Sequence, residues 1–181
     1  MDKQAVRNKL KSMRKALPSA FVSFASARIC EQAKQVLKEA DEIGIYVGVG
    51  NEVETFELIR WCLLEGKHVY CPKVHGDTMD FYAVTSLKEL KKGSFGLLEP
   101  SGKEAVEPQK LTHMVMPLVA FNEACQRIGQ GKGYYDKYLK KCHCFTMGLA
   151  YECQKAEFST ESHDIDMQLV ITEENRYKKS I

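Results

Sequence analysis

The densest group of chemically capable residues in the sequence lies in the segment 127–136, which reads RIGQGKGYYD. Glycine at every second position lets backbone N–H groups come close to a bound anion, because no side chain stands in the way. Full positive charges on Arg127 and Lys132 stand in the same segment. The helix predicted to follow would add the positive end of its dipole. The segment therefore predicts a cradle for phosphate groups, with Gly129, Gly131 and Gly133 as its glycines.

This segment matches neither of the common nucleotide-binding patterns. A P-loop would need glycine at Gln126 and serine or threonine at Gly133. The dinucleotide-binding pattern would need a third glycine where Tyr134 stands. A tight glycine turn with incidental charges therefore remains an alternative on the local pattern alone.

Acidic residues follow the first predicted strand, at the end of a parallel sheet where ligands usually bind. Glu52 and Glu54 lie just past this strand, and Glu57 comes next. We interpret Glu54 and Glu57 as favourable charges at the N-terminus of the following helix. Glu52 is the member of this group for which a binding role stays open.

Carboxylates and a basic helix face could also serve phosphate chemistry, and each has an ordinary alternative. Asp136 and Asp164 are candidate Mg²⁺ ligands, since Mg²⁺ is usually held by a few carboxylates together with substrate phosphates. Alone, Asp164 is an ordinary loop aspartate, and Asp136 could merely serve a helix dipole. The basic face of the first helix could bind anions or be a solvated surface, and it consists of Lys3, Arg7, Lys11 and Arg14.

Helices and strands alternate along the chain when hydrophobic periodicity and loop signals are read together. Helices are predicted over 3–17, 20–40, 55–65 and 134–141. Strands are predicted over 42–48, 67–71, 79–84, 111–120, 144–150 and 168–172, the second of them ending before Pro72. The segment 87–110 carries loop signals. This alternation predicts an α/β fold with an open, largely parallel sheet flanked by helices, in a single domain spanning residues 1–181.

Composition and charge favour a cytoplasmic globular protein. Apolar residues make up 44% of the 181 residues, which is enough for one sizeable core. The formal net charge of +2 argues against a general binder of nucleic acid or of membrane surfaces. The seven cysteines form no C-x-x-C pair, so we interpret them as free thiols, with a metal site at 142–144 as a minor alternative. We expect a cytoplasmic monomer.

Several motifs together resemble the 5-formyltetrahydrofolate cyclo-ligase family, also called the 5,10-methenyltetrahydrofolate synthetases. The signature is the segment 116–122, MPLVAFN, followed by the glycine-rich segment that ends in Gly-Tyr-Tyr-Asp. Each motif is weak alone, but their common order makes the resemblance specific. The other motifs that occur in the family's order are Lys3 with Arg7, the segment 52–55, the segment 95–100, and His163 with Asp164.

This resemblance implies an ATP- and Mg²⁺-dependent enzyme that converts 5-formyltetrahydrofolate to 5,10-methenyltetrahydrofolate and releases ADP and phosphate. Phosphorylation of the formyl oxygen would make that oxygen a leaving group, and N10 would then close the ring. Such a reaction needs mainly alignment of the reactants and stabilisation of charge from the protein. The resemblance also implies that ATP and the reduced folate bind side by side on an open α/β sheet.

Carried over by position, the resemblance implies roles for individual residues. The ATP contacts would be Lys3, Arg7, Arg127, Ile128, Gly129, Gln130, Gly131, Lys132, Gly133, Tyr134 and Tyr135. The folate contacts would be Val47, Glu52, Phe95, Gln130, Gly131, Lys132, Gly133 and Tyr134. The catalytic residues would be Lys132, Arg127 and Tyr134, and the metal ligands Asp136 and Asp164. Glu52 can accept hydrogen bonds from a pterin-like N–H edge, and Phe95 can cover a ring face.

Other functions remain as alternatives. An isomerase or transferase on a similar fold would bind phosphorylated substrates without using ATP, so the absence of ATP-dependent product formation would favour it. A nucleic-acid-binding module built on the basic first helix would bind RNA or DNA with a strongly salt-dependent affinity.

Overall fold

A computed structural model describes residues 2–93 and 96–181 of the chain. The helices are α1 (Lys3–Lys15), α2 (Ser19–Leu37), α3 (Phe56–Leu64) and α4 (Tyr134–Leu139). The strands are β1 (Glu42–Ile45), β2 (His68–His75), β3 (Thr78–Val84), β4 (Lys91–Lys92), β5 (Leu98–Glu99), β6 (His113–Met116), β7 (Ala120–Phe121), β8 (Arg127–Ile128), β9 (Phe145–Leu149), β10 (Leu169–Ile171) and β11 (Arg176–Lys178).

One sheet of seven strands, in the order β11-β10-β9-β6-β1-β2-β3, forms the centre of the molecule. Its inner strands pair in parallel, from β10 through β9, β6 and β1 to β2. The outermost strands, β3 and β11, are antiparallel to their neighbours. The predicted α/β fold, an open, largely parallel sheet flanked by helices in a single domain, is confirmed.

Successive residues of the inner strands point into separate cores on the two faces of the sheet. In β6, Val115 packs into the core that contains residues of α2 and α3. Its neighbours Met114 and Met116 pack into the other core, which contains Tyr138 and Leu139 of α4. The long helices therefore cover one face and the short helix α4 covers the other, as the pleat of a buried strand requires.

Helix α1 packs outside these layers, on the hairpin formed by β7 and β8. Its buried residues Val6 and Leu10 form a third cluster with Ala120 and Ile128 of the hairpin. The Asp2 side chain accepts a hydrogen bond from the backbone N–H of Gln4 and so caps the helix N-terminus. Because the apolar side of α1 faces this hairpin, its basic residues lie close to the loop that follows β8.

The prediction that the second strand ends before Pro72 is wrong, since β2 continues through Pro72 to His75. Strand β1 pairs with β2 only as far as Tyr70, so beyond that point no strand of the described residues pairs with β2 on this side. On the same edge, the backbone N–H of Val74 donates to a carboxylate oxygen of Glu99 at 2.9 Å. The missing N–H of Pro72 therefore removes no ladder hydrogen bond, and an edge position of this kind tolerates proline.

Other element boundaries also differ from the prediction. The strand predicted over 111–120 is divided: β6 ends at Met116, Pro117 follows, and Ala120 belongs to the separate β7–β8 hairpin. The helix predicted over 134–141 ends at Leu139. Strand β11 was not predicted, because its short sequence RYK is polar and gives no apolar signal. The segment predicted as a loop, 87–110, contains the small β4–β5 pair.

The close packing around β9 gives a test of the fold. A Cβ added to Gly148 would lie 2.4 Å from Met167 Sδ and 2.7 Å from Leu118 Cδ2. We expect Gly148→Ala to lower the free energy of unfolding by about 1–3 kcal/mol, because the strand lies between β6 and β10 and cannot shift freely. Urea unfolding measures this change.

The matched control is Gly102→Ala, since the nearest atom to a Cβ added there is 3.6 Å away. Its stability should stay within about 0.5 kcal/mol of the wild type. Equal stability of the two variants would contradict the packing described for β9.

Candidate active site

The glycine-rich loop connects β8 to α4 along the wall of a cavity of about 420 Å³. Gly131 and Gly133 have φ angles of +102° and +70°, a region that residues with a Cβ rarely adopt. Gly133 directly precedes α4, which has only six residues. The helix dipole is therefore a smaller source of positive potential than the sequence suggested, and the charged side chains around the loop carry more of it.

Helix α1 closes one side of this loop. The Nε atom of Arg7 donates a hydrogen bond to the carbonyl of Gly129 at 2.8 Å. A Cβ at Gly131 would lie 3.6 Å from the guanidinium carbon of Arg7, so the guanidinium lies over the loop backbone. Lys3, one turn earlier, forms an ion pair with Asp164. The basic residues predicted for ATP binding on α1 thus lie beside the loop.

Arg127 is the buried charge of the site, with only 8% of the residue exposed. Its Nη2 atom lies 3.4 Å from Asp136 Oδ1, and its guanidinium carbon lies 5.6 Å from the centre of the Tyr135 ring. Burial lowers the pKa of Arg127, while the negative charge of Asp136 opposes this shift. Among the described residues, the Nε atom of Arg127 has no hydrogen-bond partner. A buried donor without a partner fits a site whose ligand supplies the acceptor.

The candidate metal ligands Asp136 and Asp164 line the same cavity, and each has an oxygen already in use. Oδ1 of Asp136 accepts from Arg127 and from the backbone N–H of Ile165 at 3.2 Å. Oδ2 of Asp164 accepts from Lys3 and from the backbone N–H of Glu161 at 2.8 Å. Burial acts against ionisation of Asp164, but these contacts lower the pKa of Asp164 below its ordinary value.

The second oxygen of each carboxylate makes no hydrogen bond within the described residues. No donor among the described residues contacts Oδ2 of Asp136. Oδ1 of Asp164 lies 3.6 Å from the ring nitrogen Nε2 of His163. Hard carboxylate oxygens that face a phosphate-sized cavity fit Mg²⁺, which usually takes few protein ligands and several from phosphates and water.

A second cavity, of about 440 Å³, is mainly apolar and contains the predicted folate residues Val47 and Glu52. The predicted contact Phe95 lies outside the described residues. Residues of the glycine-rich loop and α4 form one side of this cavity. The apolar residues on its other sides include Tyr46, Val47, Val49, Pro72, Val74, Met79, Leu97 and Leu98.

Glu52 supplies a buried carboxylate to this apolar cavity, with 7% of the residue exposed. Its Oε1 atom accepts a hydrogen bond from the backbone N–H of Val49 at 2.9 Å. Burial raises the pKa of Glu52, although the hydrogen bond from Val49 and the charge of Arg14 oppose the shift. A carboxylate in such surroundings is a strong acceptor for N–H groups of a bound ring, because little water competes for it. Its neighbour Glu54 is exposed, as its interpretation as a helix-terminal charge requires.

The polar and apolar cavities share one wall, made by Pro117, Gln130, Lys132, Tyr134 and Tyr135. The Tyr134 hydroxyl donates to the carbonyl of Gly76 at 2.9 Å, which fixes α4 on the turn between β2 and β3. The predicted residues that the structure describes therefore lie around these adjoining cavities, although the predicted folate contacts Gly131 and Gly133 line only the polar one. Those lining the polar cavity are Lys3, Arg7, Arg127, Ile128, Gly129, Gln130, Gly131, Lys132, Gly133, Tyr134, Tyr135, Asp136 and Asp164.

Sequence analysis missed several lining residues. Lys11 and Glu99 line the apolar cavity, and Glu161 lines the polar cavity. Lys11 carried a signal, since it belongs to the basic face of α1. Glu99 lies in the motif 95–100, but its burial and its bond to Val74 could not be read from the motif.

Other groups of potential ligands lie away from these cavities. All seven cysteines are free thiols. Cys142 and Cys144, at the predicted minor metal site, belong to no group of three potential metal ligands among the described residues. Asp41, Glu42 and His68 lie close together at the N-terminal ends of β1 and β2. In the part of the chain that the structure describes, no helix is long and apolar enough to cross a membrane.

Comparison with known proteins gives the same family along the whole chain. The model of the 5-formyltetrahydrofolate cyclo-ligase family matches residues 1–173. The 5-formyltetrahydrofolate cyclo-ligase of Haemophilus influenzae is 27% identical over 176 residues, covering 91% of this chain and 94% of the relative. The 5-formyltetrahydrofolate cyclo-ligase of Mus musculus is 28% identical, with coverage of 96% and 94%.

Solved structures agree with these relatives. The 5,10-methenyltetrahydrofolate synthetase of Aquifex aeolicus superposes with a TM-score of 0.87 at 30% identity, covering 100% of this chain and 96% of that one. The 5,10-methenyltetrahydrofolate synthetase of Mycoplasma pneumoniae gives 0.80 at 26% identity, with coverage of 96% and 99%. The agreement of the motifs, the fold and the match over residues 1–173 identifies the chain as a ligase that belongs to the 5-formyltetrahydrofolate cyclo-ligase family.

Proposed function

We propose that this protein converts 5-formyltetrahydrofolate to 5,10-methenyltetrahydrofolate at the expense of ATP, which is released as ADP and phosphate. The observation that carries the proposal is the shared wall between a charged cavity and an apolar one. A nucleotide in the first and a reduced folate in the second would meet at Lys132 and Tyr134. The functional unit is the single domain of residues 1–181, acting as a cytoplasmic monomer without nucleic-acid or membrane partners.

The chemistry of the formyl group explains why such a site needs no nucleophilic side chain. A formamide carbon is a poor electrophile, and transfer of the γ-phosphoryl group to its oxygen creates a leaving group. The N10 lone pair then attacks the formyl carbon, N10 gives up its proton to solvent, and the C–O bond breaks with release of phosphate. The protein must align the reactants and stabilise charge on the transferring group.

Residues of the polar cavity can supply this stabilisation. Burial and the ion pair with Asp136 hold Arg127 in place. Its Nε atom has no hydrogen-bond partner among the described residues. Lys132 is exposed at the shared wall, so its ammonium group can reach the phosphates. Mg²⁺ bound by Asp136 and Asp164 would neutralise phosphate charge.

Residues of the apolar cavity orient the folate. The Glu52 carboxylate would accept hydrogen bonds from the N–H edge of the pterin ring. Tyr134 lines both cavities and offers an aromatic face to the ring. The apolar lining excludes water, which strengthens the bond to Glu52 and protects the activated formyl group from hydrolysis.

The basic test mixes the protein with Mg-ATP and 5-formyltetrahydrofolate and follows the methenyl product by its near-ultraviolet absorbance. Product should form only when ATP is present. Product formation without ATP, or none at all, would contradict the proposal and favour an isomerase or transferase. Strongly salt-dependent binding of RNA would favour a nucleic-acid module instead.

We expect Lys132→Ala to raise the KM for ATP by about tenfold and the KM for folate much less, because the lost ammonium group faces phosphate. Initial rates at varied ATP and varied folate measure both constants. Lys140→Ala is the control, since Lys140 is also exposed but lies at the far end of α4 and lines neither cavity. Equal rises in both constants would argue against the placement of the nucleotide.

We expect Glu52→Gln to raise the folate KM by about tenfold or more, since a charge-assisted hydrogen bond in a dry cavity is lost. In the wild type, the folate KM should rise as the pH falls through the raised pKa of Glu52, because the protonated carboxyl loses acceptor strength. This pH dependence should be absent from Glu52→Gln. Glu54→Gln, at an exposed neighbouring position, should behave as the wild type, and a Glu54→Gln effect of equal size would contradict the assignment.

We expect Asp136→Asn and Asp164→Asn each to raise the Mg²⁺ concentration for half-maximal rate by about tenfold or more, because each removes a negative charge from the metal. Asp164 also holds Lys3, so Lys3→Met separates the roles. That variant should weaken ATP binding without changing the Mg²⁺ requirement. If Lys3→Met and Asp164→Asn shift the Mg²⁺ requirement equally, Asp164 acts only through Lys3.

A further inference from the structure

The C-terminal end of helix α1 is tied to the loop that carries Glu52. The side-chain nitrogen of Asn51 lies within hydrogen-bonding distance of three backbone carbonyl oxygens at this end, at 2.9, 3.2 and 3.1 Å, which belong to Arg14, Lys15 and Leu17. Carbonyls at the end of a helix have no donor within the helix, so a side-chain amide can bind them. Because Asn51 directly precedes Glu52 in the chain, this contact holds the end of α1 close to Glu52.

Arg14 is half-buried at this junction, and its backbone and side chain are both held. Its carbonyl accepts from Asn51, and its Nη1 atom donates to the carbonyl of Leu118 at 3.0 Å. Leu118 follows Pro117, which belongs to the wall shared by the two cavities. Among the described residues, Arg14 forms no ion pair with a carboxylate. A fixed positive charge therefore lies at the end of α1.

The Glu52 carboxylate experiences this charge. Burial raises the pKa of Glu52, and both the hydrogen bond from the Val49 N–H and the positive charge of Arg14 oppose this rise. Attraction between opposite charges is stronger at a buried site than in water, because the effective dielectric constant is lower. Arg14 therefore favours the ionised form of a carboxylate that burial would otherwise protonate more easily.

Other titratable groups also face Glu52. Burial raises the pKa values of Tyr46 and Tyr135, and the charge of Glu52 raises them further, so both phenols stay neutral near neutral pH. Lys11 of α1 and Lys132 of the glycine-rich loop line the same cavity without forming an ion pair with Glu52 in the described part of the chain. All four groups remain in variants of Arg14, so a difference from the wild type reports the charge at that position.

Resting on the proposed function, in which Glu52 accepts hydrogen bonds from the folate ring, we infer that Arg14 is a positioning residue for folate binding. Its guanidinium, held by Asn51 and Leu118, keeps the Glu52 carboxylate ionised and therefore a strong acceptor. Arg14 lines neither cavity, so it acts through Glu52. Asn51 supports this role, because it fixes the helix end from which the Arg14 side chain extends.

The titration of Glu52 is followed without any substrate, by ¹³C NMR of protein labelled at the glutamate carboxyl carbons. Glu52→Gln assigns the signal. We expect Glu52 to titrate at a higher pH in Arg14→Met than in the wild type, because a nearby positive charge is lost. Arg14→Gln removes the same charge but keeps a donor for the Leu118 carbonyl, so it gives the same result even if Arg14→Met folds poorly.

Controls separate charge from packing. Arg14→Lys should titrate close to the wild type, because it keeps the charge. Lys15→Met removes a positive charge from the exposed neighbouring position, which lines neither cavity, and should leave the titration of Glu52 unchanged. Asn51→Ala releases the helix end and should shift the titration in the same direction as Arg14→Met, but by less.

Folate kinetics give the functional test. As the pH falls, the folate KM should begin to rise at a higher pH in Arg14→Met than in the wild type. Within this transition, the folate KM of the variant should exceed that of the wild type by about two- to fivefold. At higher pH, where Glu52 is ionised in both proteins, the two folate KM values should agree, and the ATP KM should be unchanged throughout.

The role of Arg14 is overturned, while the proposed function stands, if the wild type forms product and Glu52 titrates identically in Arg14→Met, Arg14→Gln and the wild type. A folate KM that rises by the same factor at every pH would also overturn it, since a loss of packing alone has that effect. A wild type that forms no product overturns the proposed function together with this inference.

Discussion

The hydrogen bond from Arg7 to the carbonyl of Gly129 is the contact on which the geometry of the site depends. It joins residues 122 positions apart in the chain and holds the glycine-rich loop against α1. A loop with alternating glycines has little conformational preference of its own, so its shape must be imposed from outside. Packing of α1 on the β7–β8 hairpin sets where Arg7 lies, and that hairpin in turn fixes where the loop begins.

Charge distribution inside the site follows from this arrangement. The formal net charge of +2 for the whole chain does not describe the site, because basic and acidic side chains lie side by side around the polar cavity. Asp136 pairs with Arg127 and Asp164 pairs with Lys3, each through one carboxylate oxygen. Arg7, Lys11 and Lys132 form no ion pair with a carboxylate of the described residues, and positive charges of this kind favour anionic ligands.

The two cavities also differ in the contacts that their linings offer, since one lining is charged and the other is mainly apolar. Where the lining is charged, a nucleotide can be bound by many separate contacts. Where the lining is apolar, a buried carboxylate such as Glu52 is a strong acceptor for a ring, because little water competes with it. Apart from Pro117, the wall between them belongs to α4 and the loop before it. In the proposed function, the nucleotide and the folate would therefore meet at the same backbone segment.

Local sequence alone determined much of this protein. The alternation of apolar strands and amphipathic helices predicted the α/β class, which the structure confirms, and the glycines with their adjacent charges predict a phosphate-binding loop, since both depend on residues near in sequence. Tertiary structure decided the rest: the passage of β2 through Pro72, the edge strand β11, the pairing of Lys3 with Asp164, and the position of Lys11. These features arise from contacts between distant segments, whose geometry is set by packing and leaves no periodic signal in the chain.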